Sequence, residues 1–460
     1  MRYISTRGLA PELNFEEAML SGLARDGGLY LPKFIPVLEK KVIQGLVGKS
    51  YEEIAFKVIE PFVNDTFSET ELRAAIEDSY SQFRHKSRAP LKKMDENYFL
   101  LELYHGPTLA FKDFAMQLIG QLFRVSLERS NKSITIIGAT SGDTGSAAIE
   151  AFKGQKSVNV FIFFPRGRIS KIQQLQMSTA KDSNVHAISI DGDFDDCQKV
   201  VKDLFTDLDF RDKVNLSGVN SINWARIMAQ IVYYFSSYLS LDWPEKKVNF
   251  TVPTGNFGDV FAGFMAKKMG LPVSQLFIAT NQNDILHNAL KTGHYIRKEV
   301  NPSISPSMDI QVSSNFERAL YYALHGNTKI IQDVFKQFNE TGNFTIPEMA
   351  LEKLQAEYTS GRVSEAETSE IMKKILRRNK LAVCPHTAVG LKVAESNVGD
   401  DVMISLATAH PGKFLNAYED ATGEKPDLPE ILTDLLNKEE RITELKTDLD
   451  AIRKFIIERI

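Results

Sequence analysis

The sequence is poor in the features that mark secreted, membrane-spanning and nucleic-acid-binding chains. It holds two cysteines in 460 residues, Cys197 and Cys384, and neither sits in a CxxC or other metal-type spacing. That excludes a disulfide framework and leaves reduced thiols as the expectation. No run of about 18 apolar residues occurs, so no transmembrane helix is expected. The amino end, MRYISTRGLA, leads into acidic PELNFEEAM instead of an apolar stretch; no secretory leader is read there, and a cytoplasmic protein without membrane contact is the default. Basic charge is not in excess either. Against 59 Asp and Glu stand 55 Lys and Arg, a formal net charge of -4, which provides no broad positive field for nucleic acid but leaves small anionic ligands open. Histidine is scarce: the eight residues form no HExxH or HxxxH pair, so metal catalysis has no support, and His105, His386 and His410 are each read as structural.

What is present describes a folded enzyme-sized chain. The composition, 43% hydrophobic and 25% charged, is that of a soluble globular protein, and the length calls for two or three packed units. The first 95 or so residues carry apolar positions at helical spacing, as in YEEIAFKVIEPF and ETELRAAIEDSYSQF, and predict a largely helical amino-terminal unit. From NYFLLELYHG onward, short β-rich runs end in Gly, Thr or Pro and are followed by amphipathic stretches. SITIIGAT precedes GDTGSAAIEAFKG, VNVFIFFP precedes SKIQQLQM, VHAISIDG precedes FDDCQKVVKDLF, VNFTVPTG precedes NFGDVFAGFMAKKMG, and VMISLATA precedes HPGKF. Such repeated strand, loop and helix passages predict an α/β fold with mostly parallel sheets. WARIMAQIVYYFSSYLSL, with Ile227, Ile231, Phe235 and Leu239 four apart, predicts a core-facing helix. NPSISPSMDIQVSS, residues 301 to 314, predicts a long loop over the surface or the cleft. The tail from Leu428 to Ile460 reads as charged and helical, without the heptads of a coiled coil.

Ligands in α/β sheets bind beyond the carboxyl ends of strands, so the loops there are the places to look for chemistry. In HGPTLAFKD, Gly106 and Pro107 make a turn and Lys112 stands at a helix start, where the macrodipole disfavours a cation. A surface lysine beside Asp113 and a buried lysine with a lowered pKa, able to form a Schiff base, both fit that segment. A Walker-type phosphate loop does not, because Phe111 stands where that motif needs Gly. GATSGDTGSAA follows a strand and opens a helix, a nest suited to a carboxylate or phosphate; a plain turn capped by Ser141 or Asp143 is the alternative. PTGNFGD repeats that arrangement with Gly255 and Gly258 around an aromatic residue, and two such loops point to a doubly anionic ligand in a cleft. In LATAHPGKF a strand ends in Thr408 before the turn at Pro411 and Gly412. DGDFDD is like a calcium loop in composition, but Gly192 is out of position and Lys202 occupies the place of the bidentate Glu, so a helix cap is the better reading.

Taken together, the loops resemble the threonine synthase family, pyridoxal-phosphate enzymes of the tryptophan synthase β-like fold. The resemblance runs through YISTRG, HGPTLAFKDFA, ATSGDTGSAA, PRGRISKIQQLQM, NSINWARI, PTGNFGD, SPSMDIQVSSNFER and LATAHPGKF in family order, across nearly the whole chain. It implies two mostly parallel α/β units with the cofactor cleft between them: residues 1–95 as the helical amino-terminal domain, 96–220 as a smaller domain with the ATSGDTG loop, and 221–460 as a larger one with the cofactor phosphate loop and a helical carboxyl end. It implies that Lys112 carries pyridoxal 5'-phosphate as a Schiff base and acts as the catalytic amine. Gly255, Asn256, Phe257, Gly258 and Asp259 are then the cup for the cofactor phosphate, and Thr408 approaches the pyridine nitrogen. Ser141, Asp143 and Thr144 are implied as substrate or cofactor contacts, and Asn223 and Arg226 as contacts for the substrate's phosphate. The implied reaction converts O-phospho-L-homoserine and water to L-threonine and phosphate. A phospholyase of the same family, releasing 2-oxobutyrate and ammonia, would carry the same cofactor loops. Either a monomer or a homodimer is compatible with the sequence, and no metal is expected.

Overall fold

The computed structural model describes residues 1–241 and 246–460. Two sheets organise it. The larger has six strands in the order Tyr358–Arg362, Val273–Thr280, Val248–Pro253, Val402–Ala407, Tyr98–Glu102, Leu91–Asp95, all parallel except the antiparallel last pair. The smaller has five parallel strands in the order Thr443–Leu445, Val185–Ile190, Val158–Pro165, Ile134–Ala139, Leu216–Ser217. The central strands Val248–Pro253 and Val402–Ala407 are buried at every position. Helices cover both faces of such strands, which is why VMISLA reads as a nearly unbroken apolar run; VNFTVP alternates with polar residues, yet its Asn249 and Thr251 are buried as well.

Sheet membership does not follow contiguous stretches of chain. The strand Tyr98–Glu102 lies beside Val402–Ala407 in the larger sheet, and the carboxyl-terminal strand Thr443–Leu445 extends the smaller one at its edge. The smaller sheet thus draws its strands from residues 134–217 and 443–445, a different partition from a division at residues 96 and 221. The tail is also not purely helical. Its helices Glu430–Leu435 and Leu449–Ile457 flank that three-residue strand, too short to leave a period-two signal in the sequence. The amino-terminal region holds the predicted helices Tyr51–Val63 and Glu69–Ser81, each opened by a capping box, Ser50 with Glu53 and Ser68 with Glu71. It also has an antiparallel ribbon of Tyr3–Ser5 with Tyr30–Pro32.

The helix Trp224–Leu239 lies at the centre, and all 16 of its residues are buried. Phe62 of the amino-terminal region packs on Trp224 with ring centroids 5.7 Å apart, and Tyr51 packs on Phe114 of the helix Lys112–Ser130 at 5.5 Å. The helical region therefore shares its core with the sheets, and that shared core fixes the helix starts that face the cleft. Asp193 and Asp196 form a capping box at the start of Phe194–Thr206, as DGDFDD predicts. Among the described residues no group of acidic, histidine or cysteine side chains is arranged to hold a metal ion, and no helix is long and apolar enough to cross a membrane.

Candidate active site

A cavity of about 620 Å³ opens at the carboxyl ends of strands from both sheets, and the four loops meet there. Backbone hydrogen bonds tie two of them together: Phe111 N–H donates to Thr408 O at 2.8 Å and His410 N–H to Leu109 O at 3.0 Å. The loop 301–314 forms part of the wall, contributing Pro306 to Ile310. It braces the third loop, since Ser313 Oγ donates to Gly255 O at 2.7 Å and Asn315 N–H to Asn256 O at 3.1 Å. A Cβ at position 255 would lie 2.9 Å from Ser307 O, so only glycine lets the two backbones approach this closely.

Lys112 begins its helix as predicted, but the surface reading fails. Its side chain is only 12% exposed, and Asp113 beside it is fully buried, accepting hydrogen bonds from Thr108 N–H and Oγ1. Burial, helped by Arg226 and Lys413 and opposed by Asp143, lowers the Lys112 amine to about 8, so neutral amine is available near neutral pH. Asp143 Oδ2 stands 3.6 Å from Lys112 Nζ, and Asp143 Oδ1 stands 2.7 Å from Lys413 Nζ. Gln173 Nε2 also donates to Asp143 Oδ1, at 2.8 Å. Burial works against this carboxylate's charge, but Lys413 and then Lys112 outweigh it and hold Asp143 well below the usual carboxylate range.

The helices Asp143–Phe152 and Gly258–Lys268 both start at the cavity wall, and neither has a side-chain cap from its N-cap residue. Neither Ser141 nor Asp143 is the cap of the first helix; Thr140 Oγ1 instead accepts from Gly142 N–H and Gly145 N–H, both at 2.9 Å. Gly142 at φ 137° and Phe257 at φ 64° shape the two turns. First-turn amides at such ends are donors in search of an anion. Ser141, Thr144, Gly255, Asn256, Phe257 and Gly258 all line the cavity. Asp259 lines it too, but its carboxylate faces inward, accepting from Tyr233 Oη at 2.6 Å and Tyr234 Oη at 2.8 Å.

Arg226 is 2% exposed and reaches the cavity. Its Nη1 donates to Val219 O, its Nε has no partner, and no carboxylate pairs with it among the described residues. Burial lowers it to about 10, which still leaves it charged and short of an anion. Asn223 does not line the cavity. Its side chain caps the helix Trp224–Leu239 by accepting from Ala225 N–H, and it donates to Met19 O and Gly218 O. All the hydrogen-bonding groups of its amide except one lone pair are spent on backbone, so the expected contact with a substrate phosphate is corrected to a helix cap. Thr408 follows the strand Val402–Ala407 directly, is 5% exposed, and its Oγ1 is buried without a partner. His386, read as structural, lies on the wall, accepting at Nε2 from Ser307 N–H at 3.1 Å.

These observations fit pyridoxal phosphate: an amine of lowered pKa, an unpartnered buried hydroxyl at Thr408, and a glycine-bearing helix start braced by 301–314. Lys413, Gln173 and Ser307 were not singled out from sequence. HPGKF carries a signal for the first, a lysine directly after Pro411 and Gly412 in the turn that follows a buried strand.

The comparisons with known proteins agree. Residues 2–80 match the family model for the threonine synthase N terminus, 85–334 that for pyridoxal-phosphate-dependent enzymes, and 387–456 that for the threonine synthase C-terminal region. The threonine synthase of Pseudomonas aeruginosa is 47% identical, over 99% of this chain and 98% of its own. The crystal structure of pyridoxal-phosphate-bound threonine synthase from Brucella melitensis superposes with a TM-score of 0.97 at 48% identity, covering 100% of this chain and 99% of that one. The yeast enzyme's structure does so at 0.94 and 40%, covering 100% and 98%. With three family models in order and full-length identity close to one half, the chain belongs to the threonine synthase family of pyridoxal-phosphate-dependent enzymes.

Proposed function

We propose that this chain converts O-phospho-L-homoserine and water to L-threonine and phosphate, with Lys112 as the amine that carries the cofactor and moves the protons. The observation that carries the reading is the meeting, in one cavity, of a buried lysine lowered to about 8 and a buried arginine without an anionic partner. When bound, the cofactor draws electrons from the substrate carbon next to the amino group. The residues 255–259, with the uncapped start of Gly258–Lys268, would hold the cofactor phosphate through backbone amides. The Asp259 side chain, turned to the two tyrosines, takes no part in that contact. Thr408 Oγ1 would face the ring nitrogen, where a neutral hydroxyl is less suited than a carboxylate to hold a full positive charge.

The substrate brings a carboxylate and a phosphate. Ser141 and Thr144, at the start of Asp143–Phe152, suit the carboxylate, and Arg226 suits the phosphate by charge-assisted hydrogen bonding. Lys112 Nζ, neutral once released, accepts a proton from Cα, passes it on, and then accepts one from Cβ as phosphate departs from Cγ; the two protons return to Cα and Cγ, and water adds its hydroxyl at Cβ while its other proton goes to the phosphate. Residues 306–310, with Phe111 and Phe257, line the cavity in which these atoms would lie.

The test is direct. Borohydride reduction of the purified holoenzyme, followed by peptide mapping, should place the cofactor on Lys112, and phosphohomoserine should yield threonine. Lys112→Ala should abolish the visible absorption band of the bound cofactor and lower turnover by at least about a thousandfold, within the range that proton transfer by a positioned group contributes. Release of 2-oxobutyrate in place of threonine would reassign the chain to the phospholyase reaction.

A further inference from the structure

Lys413 is the most deeply buried cation at the site. Its side chain is 0% exposed, and its ammonium has two partners, Asp143 Oδ1 at 2.7 Å and the backbone oxygen of Thr108 at 2.8 Å. Lysine almost never sits wholly out of water unless paired. Nothing in the reaction proposed above calls for this ammonium to touch substrate, yet it shares the carboxylate of Asp143 with Lys112, which stands 3.6 Å from that group's other oxygen.

The charges of the triad explain the sharing. A lone Asp143 facing Lys112 would hold Lys112 as an ammonium, because an opposite charge within about 4 Å favours the charged form. A base must instead be neutral when it accepts a proton. We infer that Lys413 is a positioning residue for Lys112: by taking the charge of Asp143, it leaves the buried Lys413, Asp143 and Lys112 triad neutral in sum only when the Lys112 amine is unprotonated. The surroundings allow this. Arg226 adds positive charge, and His386, kept neutral by burial at about 4, faces Asp143 and both lysines without countering them. Asp113, also near Lys413, is held by Thr108 and is raised by burial to about 6, and the Cys384 thiol near Asp143 is raised by burial as well. Lys413 has a second, geometric effect. Its bond to Thr108 O pins the loop before Lys112 to the carboxylate that opens Asp143–Phe152, so one side chain fixes the distance between elements of the two sheets.

The inference rests on Lys112 being the reactive amine, and the experiment separates the two ideas. In the full-length chain freed of cofactor, the rate of acylation of Lys112 is followed against pH by mass spectrometry of its peptide; the midpoint reports the Lys112 amine itself. Lys413→Met is expected to raise that midpoint by at least one unit, a tenfold loss of neutral amine at a fixed lower pH, and Lys413→Arg to restore it. Asp143→Asn is expected to lower the midpoint, and adding Lys413→Met to Asp143→Asn to raise it again toward the parent value. An unchanged midpoint in Lys413→Met, or equal shifts in the Met and Arg variants, overturns the inference. Should Lys413→Met alone not fold, the pair Asp143→Asn and Asp143→Asn with Lys413→Met decides it in the same way, and equal midpoints in that pair overturn it. Cofactor found on a lysine other than 112 after borohydride reduction would instead sink the reading of Lys112, whatever the midpoints.

Discussion

Asp143 and Asp259 begin from the same local design and end in opposite states. Each follows a glycine in a loop at the end of a buried parallel strand, each sits in the first turn of a helix without a side-chain cap from its N-cap residue, and they are 4% and 7% exposed. Asp143 faces the Lys413 ammonium and the Lys112 amine and is held well below the usual carboxylate range despite its burial. Asp259 faces only the hydroxyls of Tyr233 and Tyr234, and burial pushes it up to about 6. Hydrogen bonds from two neutral hydroxyls do not repay the desolvation of a carboxylate, whereas an ion pair to Lys413, with Lys112 beside it, does. The motif sets where the acid stands; residues from distant parts of the chain set whether it is charged.

The comparison is sharpened most by removing each charge in turn. Asp143→Asn leaves Lys413, at 0% exposure, without its carboxylate, and breaking a buried pair from one side costs about 3–5 kcal/mol. Asp259→Asn strands no cation, and its oxygen still accepts from the tyrosines, so above pH 7 it is expected to cost less than about 1 kcal/mol, the size of one net hydrogen bond. Thermal or urea unfolding of the two holoenzyme variants measures the difference. Equal losses would mean that the Lys413 and Asp143 contact contributes no more than packing.

The same contrast explains what could be read from sequence. The four loops were legible because a strand-end loop is local: a β-rich run, a few small residues and an amphipathic start lie within about a dozen positions in GATSGDTGSAA and PTGNFGD. Lys112, Thr408 and Arg226 came with those loops or with the segments matching the family. What distant chain decides was not legible. Lys413 shows its meaning only through Asp143, and the inward turn of Asp259 depends on two tyrosines of the helix Trp224–Leu239. Tyr98–Glu102, with its partner Leu91–Asp95, and Thr443–Leu445 join sheets whose remaining strands lie far along the chain, so a division into contiguous stretches puts them with their neighbours in sequence. Asn223 differs, because the signal was present. An Asn directly before a periodic apolar helix is an N-cap signature, and the structure uses it as one.

Acid and base should therefore move the two sites in opposite directions, and the sign can be fixed in advance. Asp259 has a folded pKa, about 6, above its ordinary 3.8. It contributes stability that is fully present below about pH 4 and lost as pH rises through 6, at most about 3 kcal/mol for a shift of this size. Asp143, lowered in the folded chain, contributes stability that is present above about pH 4 and lost only as pH falls further. Unfolding temperatures of the parent and Asp259→Asn chains, compared from pH 4.5 to 8, should show the parent losing ground to the variant between pH 4.5 and about 6.5 and no further change above 7. For Asp143→Asn the lost carboxylate itself adds no slope over that range, because in the parent it is ionised both folded and unfolded; a widening of the gap as pH falls below about 8 reports the lowered Lys112 amine. A flat difference for Asp259→Asn would mean that its carboxyl is charged between the tyrosines at pH 5, and the contrast between the two acids would then reduce to the lysines around Asp143 alone.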